Sequence, residues 1–314
     1  MQPDVSFIIA AFNAEASIER AIRSALDQQG VSVEVIVVDD RSSDRTVEIA
    51  RSFRDVQVLA LSQNRGPGGA RNAALDAATG RWIAVLDSDD TVQPERLSRM
   101  IARAEREGAQ IVVDNLDVVQ ENSGSRKTMF AKSFLKKQAA IGLADFIRSN
   151  VIFKSTFNFG YMKPVFERAF IEEHGLRYDE SLRIGEDYIL FASALAKGAC
   201  CVVDPAPGYT YHIREGSISR VLELRHVEAM LLADKAFERE HPLDDAARKA
   251  FDERKRSLDE AASFLALVKH LKDRKPLKAI GAAIRNPVAL RHLGMPIGAR
   301  LRRLGLPFAQ TRTE

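Results

Sequence analysis

From Ser6 to Phe12 the chain is apolar almost throughout, and Ile18, Ala21, Ile22, Ala25 and Leu26 then recur at helical spacing. A strand followed by a helix is expected, with Asn13 as the helix cap. The unit repeats: an apolar run Val33 to Val38, a polar turn from Asp39 to Ser43, and a helix carrying Val47, Ile49, Ala50 and Phe53. A third strand is expected at Val56 to Leu61. After a glycine-rich loop, Asn64 to Gly69, come a helix through Ala78, a strand at Trp82 to Leu86, a helix from Pro94 to about Glu107, and a strand at Ile111 to Val113. Apolar strands alternating with helices predict an α/β fold whose mostly parallel sheet is covered by helices on both faces. Ligands of such sheets bind beyond the carboxyl ends of the strands, where Asn13, Asp39, Asp40, Asp87 and Asp89 fall.

The pattern then weakens. Gln120 to Lys137 is polar and basic and reads as a surface excursion able to serve as a lid. Helical patterns return from Pro164, interrupted by the apolar run Ala199 to Val203 and a turn from Asp204 to Gly208. A composition shift near Val221 opens a charged, helix-rich tail. The expected organisation is residues 1–220 as one domain of two halves (1–116 and 117–220), with 221–314 as a helical basic region.

Composition removes several classes. With 46% hydrophobic and 28% charged residues among 314, neither disorder nor a fibrous structure is indicated. The only cysteines, Cys200 and Cys201, are adjacent, which suits neither a structural disulfide nor zinc spacing, so a reducing cytosolic setting is expected. No apolar run approaches the roughly 18 residues of a spanning helix, and Met1-Gln2-Pro3-Asp4 does not open a leader. The net charge of +3 hides an asymmetry: Lys269 to Arg303 holds ten Lys and Arg against Asp273 alone. An anionic partner is expected for that end of the chain.

Three segments carry chemistry. Asp87-Ser88-Asp89-Asp90 sets three carboxylates directly after a buried strand, and carboxylates so close call for a cation. Oxygen ligands in a loop suit Mg²⁺ or Mn²⁺ shared with substrate phosphates, although a turn rich in capping Asp is an equal reading of this motif alone. Asp39-Asp40-Arg41-Ser42-Ser43-Asp44 ends the second strand likewise and offers acceptors to a base N–H or to ribose hydroxyls. Asn64 to Asn72 brings three glycines ahead of a helix presenting Arg71, an arrangement for meeting a diphosphate with amides and a guanidinium. It is neither a GxGxxG nor a P-loop signature, and no glycine fingerprint follows Phe12, which disfavours a dinucleotide oxidoreductase.

In order along the chain, Val5 to Asn13 with Glu15, Val37-Val38-Asp39-Asp40 with Ser42, Asp44 and Thr46, Asn64-x-Gly66 with Ala70-Arg71-Asn72, and Asp87 to Asp90 together resemble family 2 glycosyltransferases of the GT-A fold. The resemblance implies that Phe12, Asn13, Glu15 and Asp39 or Asp40 line the nucleotide pocket. It further implies Arg71 near the base and diphosphate, Asp87 with Ser88 at the ribose, Asp89 on the metal, and Asp90 bracing the turn. Gly185-Glu186-Asp187-Tyr188 is similar to the family's Glu-Asp motif, making Asp187 the expected general base and Glu186 an acceptor or diphosphate contact. Tyr211-His212-Ile213-Arg214 resembles the segment that follows, with its order changed, so His212 is a candidate metal ligand and Arg214 a candidate acceptor or diphosphate contact.

The expected activity is inverting transfer of a hexose, glucose from UDP-glucose, onto a saccharide acceptor, with Mn²⁺ or Mg²⁺. The alternative is a nucleotide-sugar-binding protein without catalysis. The N-terminal sequence is similar to bacterial exopolysaccharide glycosyltransferases, including those of succinoglycan type, which implies an acceptor carried on polyprenyl diphosphate. Residues 269–303 mix aliphatic and basic positions as an interfacial segment would, implying a cytoplasmic enzyme peripheral to an anionic membrane. A helical hairpin packed on the domain or on a second copy is the equal alternative. Nucleic acid is not an expected partner, because aromatic residues are nearly absent from the tail.

Overall fold

The computed structural model describes residues 2–154, 158–213 and 222–293. Its first half follows the apolar pattern: β1 (Val5–Ala11), α1 (Ile18–Leu26), β2 (Val33–Asp39), α2 (Thr46–Arg51), β3 (Val56–Ala60), α3 (Gly66–Ala77), β4 (Trp82–Val85), β5 (Thr91–Val92), α4 (Arg96–Glu107) and β6 (Ile111–Gln120). The runs became strands because each buries both of its faces. Every residue of β4 and the first eight of β6 are buried, as are Val5 to Ile9.

The chain continues through β7 (Arg126–Thr128), α5 (Lys132–Lys137), α6 (Leu143–Ser149), β8 (Val165–Glu167), α7 (Arg168–Glu173), α8 (Glu186–Ala196), β9 (Cys201–Ile213), α9 (Leu224–Glu240), α10 (Asp245–Lys272) and α11 (Pro276–Arg285). The sheet order is β3-β2-β1-β4-β8-β6-β9-β5, with β7 beside β6. β1 pairs in parallel with β2 and β4, β2 with β3, and β6 with β9, while β8 runs antiparallel to both β4 and β6. β3, β2, β1, β4, β6 and β9 therefore share one direction, and their carboxyl ends define one edge of the sheet.

Several expectations require correction. Asn13 does not cap α1: Ser17 occupies that position, and Asn13 adopts a left-handed conformation (φ 49°) in the loop before it. The glycine-rich segment is not a loop ahead of α3 but its first turn. Residues 120 to 137 are not a free excursion. Asp117, Val118 and Val119 of β6 pair with Thr128, Lys127 and Arg126 of β7, and Leu135 of α5 is fully buried. The helical pattern expected from Pro164 begins as strand β8, sheltered between β4 and β6.

The turn expected at Asp204 to Gly208 is absorbed into the long strand β9 as an irregularity, with register shifts around Asn115 of β6. Proline gave the misleading signal. Pro205 and Pro207 fall at this irregularity of the β6–β9 ladder and precede the positions where β5 pairs with β9, so β5 needs no N–H from them. Gly208 is required there, since a Cβ would lie 2.4 Å from Asp114 Oδ2.

The region after residue 221 shares the main core. Phe237, Ala247, Ala250 and Phe251 belong to the same buried cluster as the sheet residues. α10 is capped by Asp244, whose side chain accepts from Ala247 N at 2.7 Å, and it packs along α6 and α9. Among the described residues no helix is long and apolar enough to cross a membrane.

Candidate active site

The β1–α1 and β2–α2 loops are stitched into one unit at the sheet edge. Asn13 N donates to Ser42 Oγ (2.8 Å), Asn13 Oδ1 accepts from Ser43 N (2.9 Å), Ala14 N donates to Thr46 Oγ1 (2.8 Å), and Glu15 Oε2 accepts from Arg45 N (3.1 Å). The left-handed turn at Asn13 makes this possible, and asparagine tolerates it well. Phe12 projects beside the unit, 47% exposed.

Asp39 and Asp40 divide sharply. Asp39 is buried; its Oδ2 accepts from Ser42 N (3.0 Å), while its Oδ1 is buried without a hydrogen-bond partner among the described residues. An orphaned buried acceptor costs about 1–3 kcal/mol unless a ligand donor meets it. Asp40 instead ties down the start of α3, accepting from Arg65 N (2.6 Å) and Gly66 N (2.8 Å). Burial raises its carboxyl above the usual range against those hydrogen bonds.

The glycines of α3 pack closely against other parts of the chain. A Cβ at Gly66 would lie 2.2 Å from Arg183 Nη1, and one at Gly68 3.0 Å from Asp179 O. Asn72 makes the same junction with both backbone groups of Tyr178, at 2.9 Å each. The glycines thus let α3 approach the segment that leads into α8, and that contact aims Arg71.

Arg71 is 6% exposed and donates to Asp87 Oδ1 (2.8 Å) and Glu186 Oε1 (2.7 Å), with Asp187 Oδ1 at 3.2 Å and the Tyr178 ring centroid at 5.4 Å. Lys163 Nζ completes the network, 2.7 Å from Asp87 Oδ2 and 3.3 Å from Asp187 Oδ2. Three carboxylates therefore share two buried cations, and the ends of β4 and β8 are locked to the first turn of α8. Burial opposes ionisation of Asp87, but Lys163 and Arg71 outweigh it and hold its carboxyl well below the usual carboxylate range. Burial likewise opposes the charge on Lys163, and Asp87 and Asp187 overcome it, so the ammonium holds its proton more firmly than an ordinary lysine. For Glu186, burial and the adjacent Asp187 push the carboxyl up.

Within Asp87 to Asp90 the side chains have different surroundings. Asp90 is fully buried, its Oδ2 accepting from Tyr209 Oη and its Oδ1 from His212 N, both at 2.8 Å. Burial, with Asp87 and Asp89 nearby, pushes its carboxyl well up. Ser88 and Asp89 are half-buried at the turn, and the Asp89 carbonyl accepts from Arg20, which pairs with Glu121 at 2.5 Å. The His212 ring lies against Thr91 Oγ1 (3.2 Å) and Glu121 Oε1 (3.5 Å). Arg214 lies outside the described residues.

Among the described residues, no group of three or more His, Cys, Asp or Glu side chains gathers as an ion site. Asp87 is committed to cations and Asp90 to Tyr209 and His212. Oxygen donors of this kind suit a hard divalent cation completed by diphosphate oxygens and water.

Sequence reasoning passed over Lys163, although a lone lysine inside Tyr161-Met162-Lys163-Pro164-Val165-Phe166 was a usable signal: a charge in an apolar run must have a partner. It also passed over Arg96, fully buried, which donates to Asp114 (3.0 and 2.9 Å) and to the carbonyl of Lys163 (2.7 Å) beneath the site.

Residues 6–170 match the family described as Glycosyl transferase family 2. Over 308 residues the chain is 58% identical to the succinoglycan biosynthesis protein ExoO of Rhizobium meliloti, covering 98% of this chain and 88% of that one. Over 105 residues it is 41% identical to the UDP-Glc:alpha-D-GlcNAc-diphosphoundecaprenol beta-1,3-glucosyltransferase WfaP of Escherichia coli, covering 33% of this chain and 42% of that one. The crystal structure of residues 1–349 of S. aureus TarS in complex with UDP superposes with a TM-score of 0.62 at 19% identity, covering 89% of this chain and 88% of that one, which shows a shared fold. A family match across more than half the chain and a close relative along nearly all of it agree with the geometry at the sheet edge: this chain belongs to glycosyl transferase family 2.

Proposed function

We propose that the protein transfers a hexosyl group, glucose from UDP-glucose, to a saccharide acceptor in bacterial exopolysaccharide synthesis, with inversion at the anomeric carbon. The observation that carries this reading is the network of Asp87, Glu186, Asp187, Arg71 and Lys163, which couples the donor side of the sheet to the first turn of α8. The resemblance to ExoO supports exopolysaccharide synthesis, and that to WfaP supports UDP-glucose as donor and an acceptor on a polyprenyl diphosphate.

The nucleotide would lie along the carboxyl ends of β1, β2 and β4. Asp39 Oδ1 would accept the base N–H it otherwise lacks, while Phe12, Asn13 and Glu15 wall the pocket and Asp87 with Ser88 faces the ribose. A Mn²⁺ or Mg²⁺ ion on Asp89, with His212 on its flank, would neutralise the charge growing on the leaving diphosphate. Asp187 takes the proton of the acceptor hydroxyl as its oxygen bonds to the anomeric carbon and the bond to UDP breaks. Arg71 and Lys163 aim the Asp187 carboxylate, and Glu186 braces Arg71. Such an enzyme would work at the inner face of the cell membrane, where its acceptor is anchored.

Screening UDP- and GDP-sugars for nucleotide release, with Mn²⁺ and with chelator, tests the reading. UDP released from UDP-glucose only when metal is present is the expected result. Tight UDP binding without turnover on any donor and acceptor would return the non-catalytic alternative.

A further inference from the structure

The end of the described chain is a hairpin folded back along α10. The chain reverses at Arg274, which adopts a left-handed φ of 55°, and the returning segment is tied to α10 by Asn286 to Ser263 (3.4 Å) and Arg291 to Glu260 (2.5 Å). A solvated helix in this position should turn its large aliphatic residues inward. α11 does the reverse: Ala279 is 3% exposed, whereas Leu277, Ile280 and Ile284 are 83%, 55% and 74% exposed. Leu271, Val288 and Leu290 extend the same region, so six of the ten large hydrophobics exposed among the described residues fall between 271 and 290. Apolar residues scattered singly need no explanation, but a cluster does.

Charge decides what covers it. Between 269 and 293 the sequence carries seven Lys and Arg against Asp273 alone, with Lys272, Lys275 and Lys278 exposed around the aliphatic stripe. A second copy docking through this face would set two such basic surfaces against each other. An anionic lipid surface takes both features at once, with aliphatic side chains entering the headgroup boundary and lysines meeting phosphates.

We propose that the hairpin of α10 and α11 is the membrane-docking face, inserting Leu277, Ile280 and Ile284 into anionic bilayers with Lys272, Lys275 and Lys278 on the headgroups. This deepens, and rests on, the reading of the enzyme as acting on a lipid-linked acceptor. Docking through α10 also bears on the active site, because the same helix carries Arg254, whose guanidinium lies 3.6 Å from the ring centroid of Tyr188, the neighbour of Asp187.

The test is sedimentation of the full chain with phosphatidylglycerol-containing vesicles and with pure phosphatidylcholine vesicles, alongside UDP titration. Wild type should sediment with the anionic vesicles alone and be released by high salt. Leu277→Ser/Ile280→Ser/Ile284→Ser should weaken partitioning at least about tenfold, and Lys272→Glu/Lys275→Glu/Lys278→Glu about a hundredfold or more. Both variants should keep native circular dichroism and UDP affinity, so loss of UDP binding in wild type would count against the enzymatic reading and not against docking. If the serine variant misfolds, the charge-reversed variant decides. Equal sedimentation on neutral vesicles, or undiminished binding by the variants, overturns the proposal. Wild type that ignores vesicles and forms a dimer abolished by the serine substitutions makes a second copy the occupant and equally overturns it.

Discussion

Lys163→Met removes one of the two cations shared by Asp87, Glu186 and Asp187 while keeping a side chain of similar length. The lysine side chain is 11% exposed and its Nζ lies 2.7 Å from Asp87 Oδ2. Removing one partner of a buried ion pair costs about 3–5 kcal/mol. Arg71 remains 2.8 Å from Asp87, and the Asp87 side chain is 23% exposed, which argues for the lower end of that range. A loss of about 3 kcal/mol corresponds to a fall in Tm of roughly 5 °C for a chain of 314 residues. The pH dependence has a definite sign. A carboxyl held below its ordinary value stabilises the fold above the unfolded pKa of about 3.9, and that contribution is lost as pH falls through the folded value. Because Lys163 is a principal cause of the depression, the penalty of the substitution should be full at neutral pH and narrow as pH falls from about 4 towards the folded value of Asp87. Urea unfolding of both proteins across this range measures it. Equal stability at neutral pH, or a penalty that grows on acidification, would refute the reasoning.

Three further outcomes follow from the same geometry. Asp39→Asn should weaken UDP binding about tenfold by calorimetry, because the amide turned towards the base would donate where Oδ1 accepts; unchanged affinity removes Asp39 from the base site. Asp90→Asn fills the same space between Tyr209 and His212 and should leave stability within about 1 kcal/mol, whereas Asp89→Asn should cut transfer about a hundredfold or more and abolish its response to Mn²⁺. Equal losses in the two variants would reject that division of labour. Arg254→Met should cost about 3–5 kcal/mol in chemical denaturation, since Arg254 donates to Asp234 (2.9 Å) and to Asn150 O (2.9 Å) within the core, and adding Asp234→Asn should restore part of the loss.

The parallel half of the sheet was legible because its strands bury both faces and so lack polar interruptions. The carboxylates at its edge were legible for the converse reason: Asp39, Asp40 and Asp87 follow apolar runs directly, where only a site or a buried partner explains them. What the pattern hid was set by contacts distant in sequence. β8 is three residues long and is a strand only because β4 and β6 flank it. The prolines of β9 read as a turn because sequence does not show that they sit at an irregularity of the β6 ladder, ahead of the β5 pairing. Nor does the sequence show that Gly66 and Gly68 of α3 make room for Arg183 and Asp179, more than a hundred residues away. Lys163 belongs to the same class, since its partners Asp87 and Asp187 come from other elements.

The central claim rests on Asp187 as the base of a transfer driven from a nucleotide sugar. Its most direct test is Asp187→Asn, assayed for UDP release from UDP-glucose with a lipid-linked saccharide acceptor, beside calorimetric UDP binding. A fall in kcat of about 10²–10⁴-fold with UDP affinity unchanged is the predicted result. Transfer at the wild-type rate by that variant would contradict the account.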